Sequence, residues 1–321
     1  MKKLILFALG VSVLLSGCGG FPAAPTATST PQPPTETPTP LPPTATATIT
    51  PTPTITPTLT PQPTPTSTRV AQGPGWITVP VLLYHHIQST PYFSRYRVPP
   101  ERFEQQMKLL HDWGYETITT DQLVQAITVG ADLPPRPVLI TFDDGDVDVY
   151  ENAFPIMQKY GLKGVFYLVA DYIDQPNYIT VDQVKEMAAA GWQIGSHSLT
   201  HIDLVQYPER ARAEVVESEQ KLEAMIGVPV KTFAYPFGRA DSGTIDYVQF
   251  AEYTAGMGLG YTLNQGPENQ FYLNRWEVQS SFELKSLMAY LPWKGDMSVV
   301  PTDIPLATLS PNSTPESDAA P

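Results

Sequence analysis

Two short stretches hold the residues best suited to chemistry. "TFDDG" sets Asp143 and Asp144 side by side directly after an apolar run, and "SHSLTH" spaces His197 and His201 as H-x-x-x-H. Like charges repel and charge has no place on a buried strand, so the acid pair needs a reason. The histidine spacing predicts two imidazoles on one side of a helical turn, near enough to share an ion. Two histidines and one aspartate, with a position left open for water, make the ligand set of a catalytic metal; a structural zinc is closed by four ligands. Nitrogen and oxygen donors without thiolate suit Zn2+, with Co2+, Ni2+ and Fe2+ chemically open. Asp144 would then bind the ion and be neutralised by it. Asp143 would take a proton from bound water, whose pKa falls from about 15.7 to about 7. The competing reading makes "DDG" a turn and Asp148 a cap for the next helix. It accounts for Asp146 and Asp148, but not for two adjacent acids ending a strand in a chain that also carries H-x-x-x-H.

These residues need a frame that brings them together, and the apolar patterning supplies one. "ITVPVLLYHHI" (77–87) reads as a strand ending in His85 and His86, and "PPERFEQQMKLLHDWG" as a helix with His111 on its polar side. "YETIT" follows as a short strand, "DQLVQAI" as a helix capped by Asp121, and "PVLITF" as the strand that delivers the acids. Pro155 inside "VYENAFPIMQKYG" predicts a kinked or shortened helix. Strands "GVFYLVA", "WQIGSHS" and "VKTFAYPFG" alternate with helices at "TVDQVKEMAAAG" and 208–226. Such alternation predicts a parallel sheet covered by helices, and about seven units favour a barrel, whose sites gather at the carboxyl ends of strands.

The ends of the chain read differently. A basic start, an apolar run to Leu15 and then Ser16-Gly17-Cys18 describe a secretory signal over residues 1–18. "LSGC" resembles the bacterial lipoprotein signal, which implies lipidation of Cys18, the sole cysteine. Residues 21–70 hold 15 prolines and 18 threonines, too little apolar surface to fold, so 19–75 is expected to be a disordered spacer. The tail 301–321 has the same character, which leaves 76–300 as one well-cored domain. A net charge of −13 argues against nucleic acid, since no basic stripe meets a phosphate backbone. The expected location is extracytoplasmic, with a lipid anchor in the membrane; the oligomeric state is open.

"TFDDG" together with "SHSLTH" resembles the polysaccharide deacetylases of carbohydrate esterase family 4, the NodB-homology domains, over roughly residues 78–290. The resemblance implies an α/β fold, a distorted (β/α)7 barrel. It implies Asp143 as catalytic base and Asp144, His197 and His201 as ligands of a divalent metal, zinc being the expected one. The implied substrates are acetylated polysaccharides: N-acetylglucosamine polymers such as chitin, peptidoglycan or poly-N-acetylglucosamine, or O-acetylated xylan. Two family motifs are altered. Where members carry R-x-P-Y-G this chain has "FAYPFG", so the backbone of Tyr235 or a neighbour is expected to hold the oxyanion. The missing arginine, which orients the base, is expected to be replaced by Arg275 in "YLNRWEV", with Arg239 as runner-up. No histidine follows His201 to act as the usual late general acid, so His85 is expected in that role by likeness to exported poly-N-acetylglucosamine deacetylases, with His86 second. Adjacent strand residues point to opposite sides, so only one of the two should face the site. His86, Phe237 and Trp276 are the expected sugar contacts. A glycan-binding lipoprotein that keeps the metal site as a scaffold is the alternative, and it has no need of Asp143 beside the ligand.

Overall fold

A computed structural model describes residues 68–90 and 94–300. The expected signal with Cys18, the spacer up to residue 67 and the tail from residue 301 lie outside the described residues. Pairing to the domain begins ahead of the expected boundary at 76. Val70–Gln72 pairs antiparallel with Ala131–Leu133, and the Gly75 N–H donates to Ile127. Among the described residues, no helix is long and apolar enough to cross a membrane.

The centre is a curled sheet of parallel strands: β1 Val81–Tyr84, β2 Pro137–Phe142, β3 Val165–Leu168, β4 Gln193–Ser196, β5 Thr232–Ala234, β6 Ala255–Met257 and β7 Trp276–Glu277. Their order is β6-β5-β4-β3-β2-β1-β7. The ring is closed by a seam between the end of β6 and the run into β7. Leu273 N–H donates to Gly256 O (2.8 Å), Gly258 N–H to Leu273 O (2.9 Å) and Gly260 N–H to Arg275 O (3.0 Å). The helices are α1 Pro100–Asp112, α2 Thr120–Thr128, α3 Phe154–Lys159, α4 Val181–Ala189, α5 Pro208–Ile226, α6 Ser242–Phe250 and α7 Leu284–Tyr290. This is the distorted (β/α)7 barrel that the alternation and the two motifs imply.

Every residue of β2 is buried, as expected for a strand covered on both faces. Val138, Ile140 and Phe142 face the helix layer with Leu82, Tyr84, Phe166 and Phe233. Leu139 faces the lumen with Val81, Val165, Tyr167, Ala234 and Met257, and α2 plugs that lumen with Leu123, Ala126 and Ile127. Gly195 on β4 makes room for Tyr167, since a Cβ there would lie 2.3 Å from the ring. Gly195→Ala is expected to cost about 1–3 kcal/mol by overpacking, read from the urea midpoint. An unchanged midpoint would mean the ring can swing aside.

Two local expectations change. Asp121 is not the cap of α2: Thr119 is, in a capping box with Gln122, while Asp121 lies inside the first turn. "VYENAFPIMQK" divides into a π-turn, Val149–Ala153, and the short α3, with Pro155 in its first turn, where proline's missing N–H costs nothing.

Candidate active site

The carboxyl ends of the strands surround a cleft of about 860 Å3. Asp143 follows Leu139 and Thr141 on the lumen side of β2, and the strand's period of two sends its carboxylate inward. The backbone then turns through Asp144 (φ 75°) and Gly145 (φ 100°). His197 follows β4, and its Nδ1–H donates to Ala234 O at 2.8 Å, which leaves Nε2 to face the acids. His201 lies four residues on. The connection is not the expected helical turn but an irregular loop with left-handed backbone at Ser198 (φ 69°) and His201 (φ 63°). It still brings the two rings to 4.9 Å between centroids.

The Nε2 atoms of His197 and His201 lie 3.4 and 3.3 Å from Asp144 Oδ1. One donor atom from each of these three residues falls within 4.8 Å of the other two. Asp144 Oδ1 is buried and has no hydrogen-bond partner. An unsatisfied buried carboxylate oxygen between two imidazole nitrogens fits a divalent cation. Burial would raise the pKa of Asp144, but His197 and His201 hold it well below the ordinary carboxylate range. Burial likewise disfavours the His197 imidazolium, yet Asp143 and Asp144 overcome this and raise its pKa.

Asp143 has a different partner. Arg275 donates Nη1–H to Oδ1 (2.6 Å) and Nη2–H to Oδ2 (2.8 Å), while its Nε–H donates to Gly258 O (3.0 Å). Both side chains are almost fully buried. Burial alone would push Asp143 up; the Arg275 and His197 charges hold it below its usual value. Arg239, the runner-up, pairs instead with Asp203.

Both His85 and His86 line the cleft, contrary to the expectation that one would point away. Strand β1 ends at Tyr84, so strict alternation no longer binds the pair. His85 packs on Tyr96 (centroids 4.7 Å apart), its Nδ1 is buried without a partner, and burial lowers its pKa. His86 Nδ1 pairs with Asp148 Oδ2 at 2.9 Å. Asp148 is therefore not a helix cap: its other oxygen accepts from Ile87 N–H. Burial pushes neighbouring Asp146 up to about 7.

Two expected residues fall elsewhere. Tyr235 faces the helix layer, its hydroxyl donates to Phe271 O, and its N–H is taken by Met257 O (3.1 Å). Pro236 has no N–H, which leaves Phe237 N–H as the backbone donor of this turn; no acceptor among the described residues engages it. Phe237 is half exposed at φ 58° and its ring lies 4.9 Å from His201, at the edge of the cleft. Trp276 is buried outside the cleft, stacked on Tyr290 (4.4 Å) and Phe282 (5.2 Å). The sequence reading missed Glu277, which lines the cleft and pairs with Arg95. In "RWE" the alternation assigns Arg275 and Glu277 to one face and Trp276 to the other.

An acid gripped by a guanidinium lies beside a His/His/Asp trio at the mouth of a parallel barrel, an arrangement suited to hydrolysis of an acyl group. The profile of the polysaccharide deacetylase family matches residues 130–256. YxkH of Bacillus subtilis (strain 168), named as a polysaccharide deacetylase, is 31% identical over 214 residues, 66% of this chain and 76% of the relative. A poly-beta-1,6-N-acetyl-D-glucosamine N-deacetylase of Staphylococcus aureus (strain MSSA476) is 25% identical over 210 residues, 60% of this chain and 71% of the relative. The structure of the Streptococcus pyogenes deacetylase PplD shares the fold, with a TM-score of 0.63 at 24% identity over 67% of this chain and 98% of that one. The chain belongs to the polysaccharide deacetylase family, hydrolases acting on carbon–nitrogen bonds.

Proposed function

We propose that the protein removes N-acetyl groups from a glucosamine-containing polysaccharide, using Zn2+ held by Asp144, His197 and His201. The observation that carries this reading is the burial of Asp143 in a two-pronged bond with Arg275, next to the trio. A scaffold that only binds glycan has no use for that second acid. The substrate class is supported by the likeness to the staphylococcal poly-beta-1,6-N-acetyl-D-glucosamine N-deacetylase. The signal-like start and Cys18 support action outside the cytoplasm from a lipid anchor.

A divalent ion held by Asp144, His197 and His201 would supply a Lewis acid, lowering the pKa of water and polarising a carbonyl. Asp143, kept ionised by Arg275, accepts the proton of the attacking water. Phe237 N–H, which no acceptor among the described residues engages, is the proposed donor to the developing oxyanion, in place of the Tyr235 region. His85 donates a proton to the departing amine nitrogen. The half-exposed Phe237 ring offers an apolar face to a sugar ring.

The test is acetate release from poly-β-1,6-N-acetylglucosamine, chito-oligosaccharides, peptidoglycan and acetylxylan. His85→Ala is expected to lose roughly 10²–10⁴-fold of the rate, the usual worth of a general acid. His86→Ala, which removes a ring paired with Asp148, should lose much less. Near-wild-type rates in both variants would remove His85 from the mechanism.

A further inference from the structure

Glu214 on α5 is only 1% exposed, and the proposed chemistry has no task for its charge. Its carboxylate reaches into the loop between the two histidine ligands. Oε2 accepts from Leu199 N–H (3.1 Å) and Thr200 N–H (2.7 Å), and Oε1 from the Thr200 hydroxyl (2.6 Å). Arg210, one turn earlier on the helix, donates to Oε1 at 2.8 Å and balances the charge. The loop is gripped on its other side as well: Ser198 O and Leu199 O accept from Ala170 and Asp171 N–H. Among the described residues, Glu214 is the only acceptor for the two consecutive N–H groups of Leu199 and Thr200.

The three members of the trio differ in what holds them. His197 is set by β4 and by Ala234 O. Asp144 is set by the turn leaving β2. His201 has a ring Nδ1 with no hydrogen-bond partner; its ring packs beside those of His197 and Phe237, and the loop backbone, not a bond like that of His197 to Ala234 O, carries it into place. That backbone is left-handed at Ser198 and again at His201, a conformation the surroundings must impose. The residues between those two points are the ones Glu214 holds.

We infer that Glu214 is a positioning residue, which presets the 197–201 loop so that His201 converges with Asp144 and His197 on one ion. The inference rests on the metal reading of the trio. A carboxylate is needed because two consecutive N–H donors and a hydroxyl are all accepted by this one group; an apolar side chain would leave these half-buried donors unmet.

The experiment measures Zn2+ affinity of the full chain by competition with a zinc-binding dye, alongside the Tm of ion-free protein. Glu214→Ala is expected to weaken Zn2+ binding roughly 10–100-fold, the usual cost of losing an outer-shell partner. Glu214→Gln should fall between Ala and wild type, since its amide oxygen still accepts from the two N–H groups. Ser218→Ala, which cuts the buried Ser196–Ser218 bond on the same helix, should lower Tm and leave affinity unchanged. A folded Glu214→Ala with wild-type affinity overturns the inference. Should that variant fail to fold, Glu214→Gln decides: wild-type affinity overturns the inference, weaker affinity supports it. Wild type that binds Zn2+ no better than His197→Ala overturns the metal reading itself, a result distinguishable from the others.

Discussion

Asp143→Asn is expected to reduce acetate release by roughly 10²–10⁴-fold, the range for loss of a positioned general base. The geometry adds a second effect. Arg275 would remain charged and buried with only an amide in front of it, and breaking one side of a buried pair costs about 3–5 kcal/mol. The two effects separate in the double variant Asp143→Asn/Arg275→Met. Removing both charges leaves a pocket without an uncompensated ion, so most of the stability should return while activity stays lost. Urea unfolding and acetate release on wild type, both single variants and the double give the comparison. Equal acetate release by wild type and a folded Asp143→Asn would eliminate the acid from the reaction. A double variant no more stable than the singles would mean that Arg275 is held by Gly258 O and the Tyr167 ring rather than by its charge partner.

Removing the metal is the second large effect. Chelation is expected to abolish acetate release, and Zn2+ to restore it. Because the folded trio is the only state with all three donors assembled, the ion should also stabilise the fold. At about 1,000 times its Kd, a ligand specific for the native state adds about 4.1 kcal/mol. The stabilisation should vanish in His201→Ala and in Asp144→Asn, read as loss of the Zn2+-induced rise in Tm. Acetate release that is identical before and after chelation, with the metal content shown to be nil, would falsify the proposed zinc dependence.

What the sequence made legible was local. Asp143 and Asp144 end a strand whose six residues read as buried, so their place at the barrel mouth follows from the run before them. The spacing of His197 and His201 brought two rings together even though the expected helical turn is absent; left-handed residues achieve the same proximity by another path. The meeting of Arg275 with Asp143 lies across the barrel, 132 residues apart, and no local pattern encodes it. The deficit of a motif arginine, not any periodicity, pointed to it. The misplacements had readable signals. Trp276 sits one residue from Arg275 on a strand, which excludes them from sharing a face. Tyr235 precedes a proline in a strand-ending turn, and the unengaged N–H falls two residues later, at Phe237. Glu214 was beyond such reading, because a buried acid on a long helix resembles its exposed neighbours until the loop it holds is seen.

The seam that closes the ring has a kinetic consequence. The guanidinium that grips Asp143 is carried next to a two-residue strand, at the join where the barrel is tied by Gly256, Gly258 and Gly260 to Leu273 and Arg275. A short join of this kind is expected to open as a sub-global unit before the longer central strands exchange their amide protons. Each such opening would withdraw Arg275 from Asp143 while leaving Asp144, His197 and His201, which follow β2 and β4, in place. The protein should therefore pass through a state that still holds its ion but turns over no substrate. In mild urea, activity would fade with the exchange of the Gly258 and Gly260 amides, ahead of the global transition.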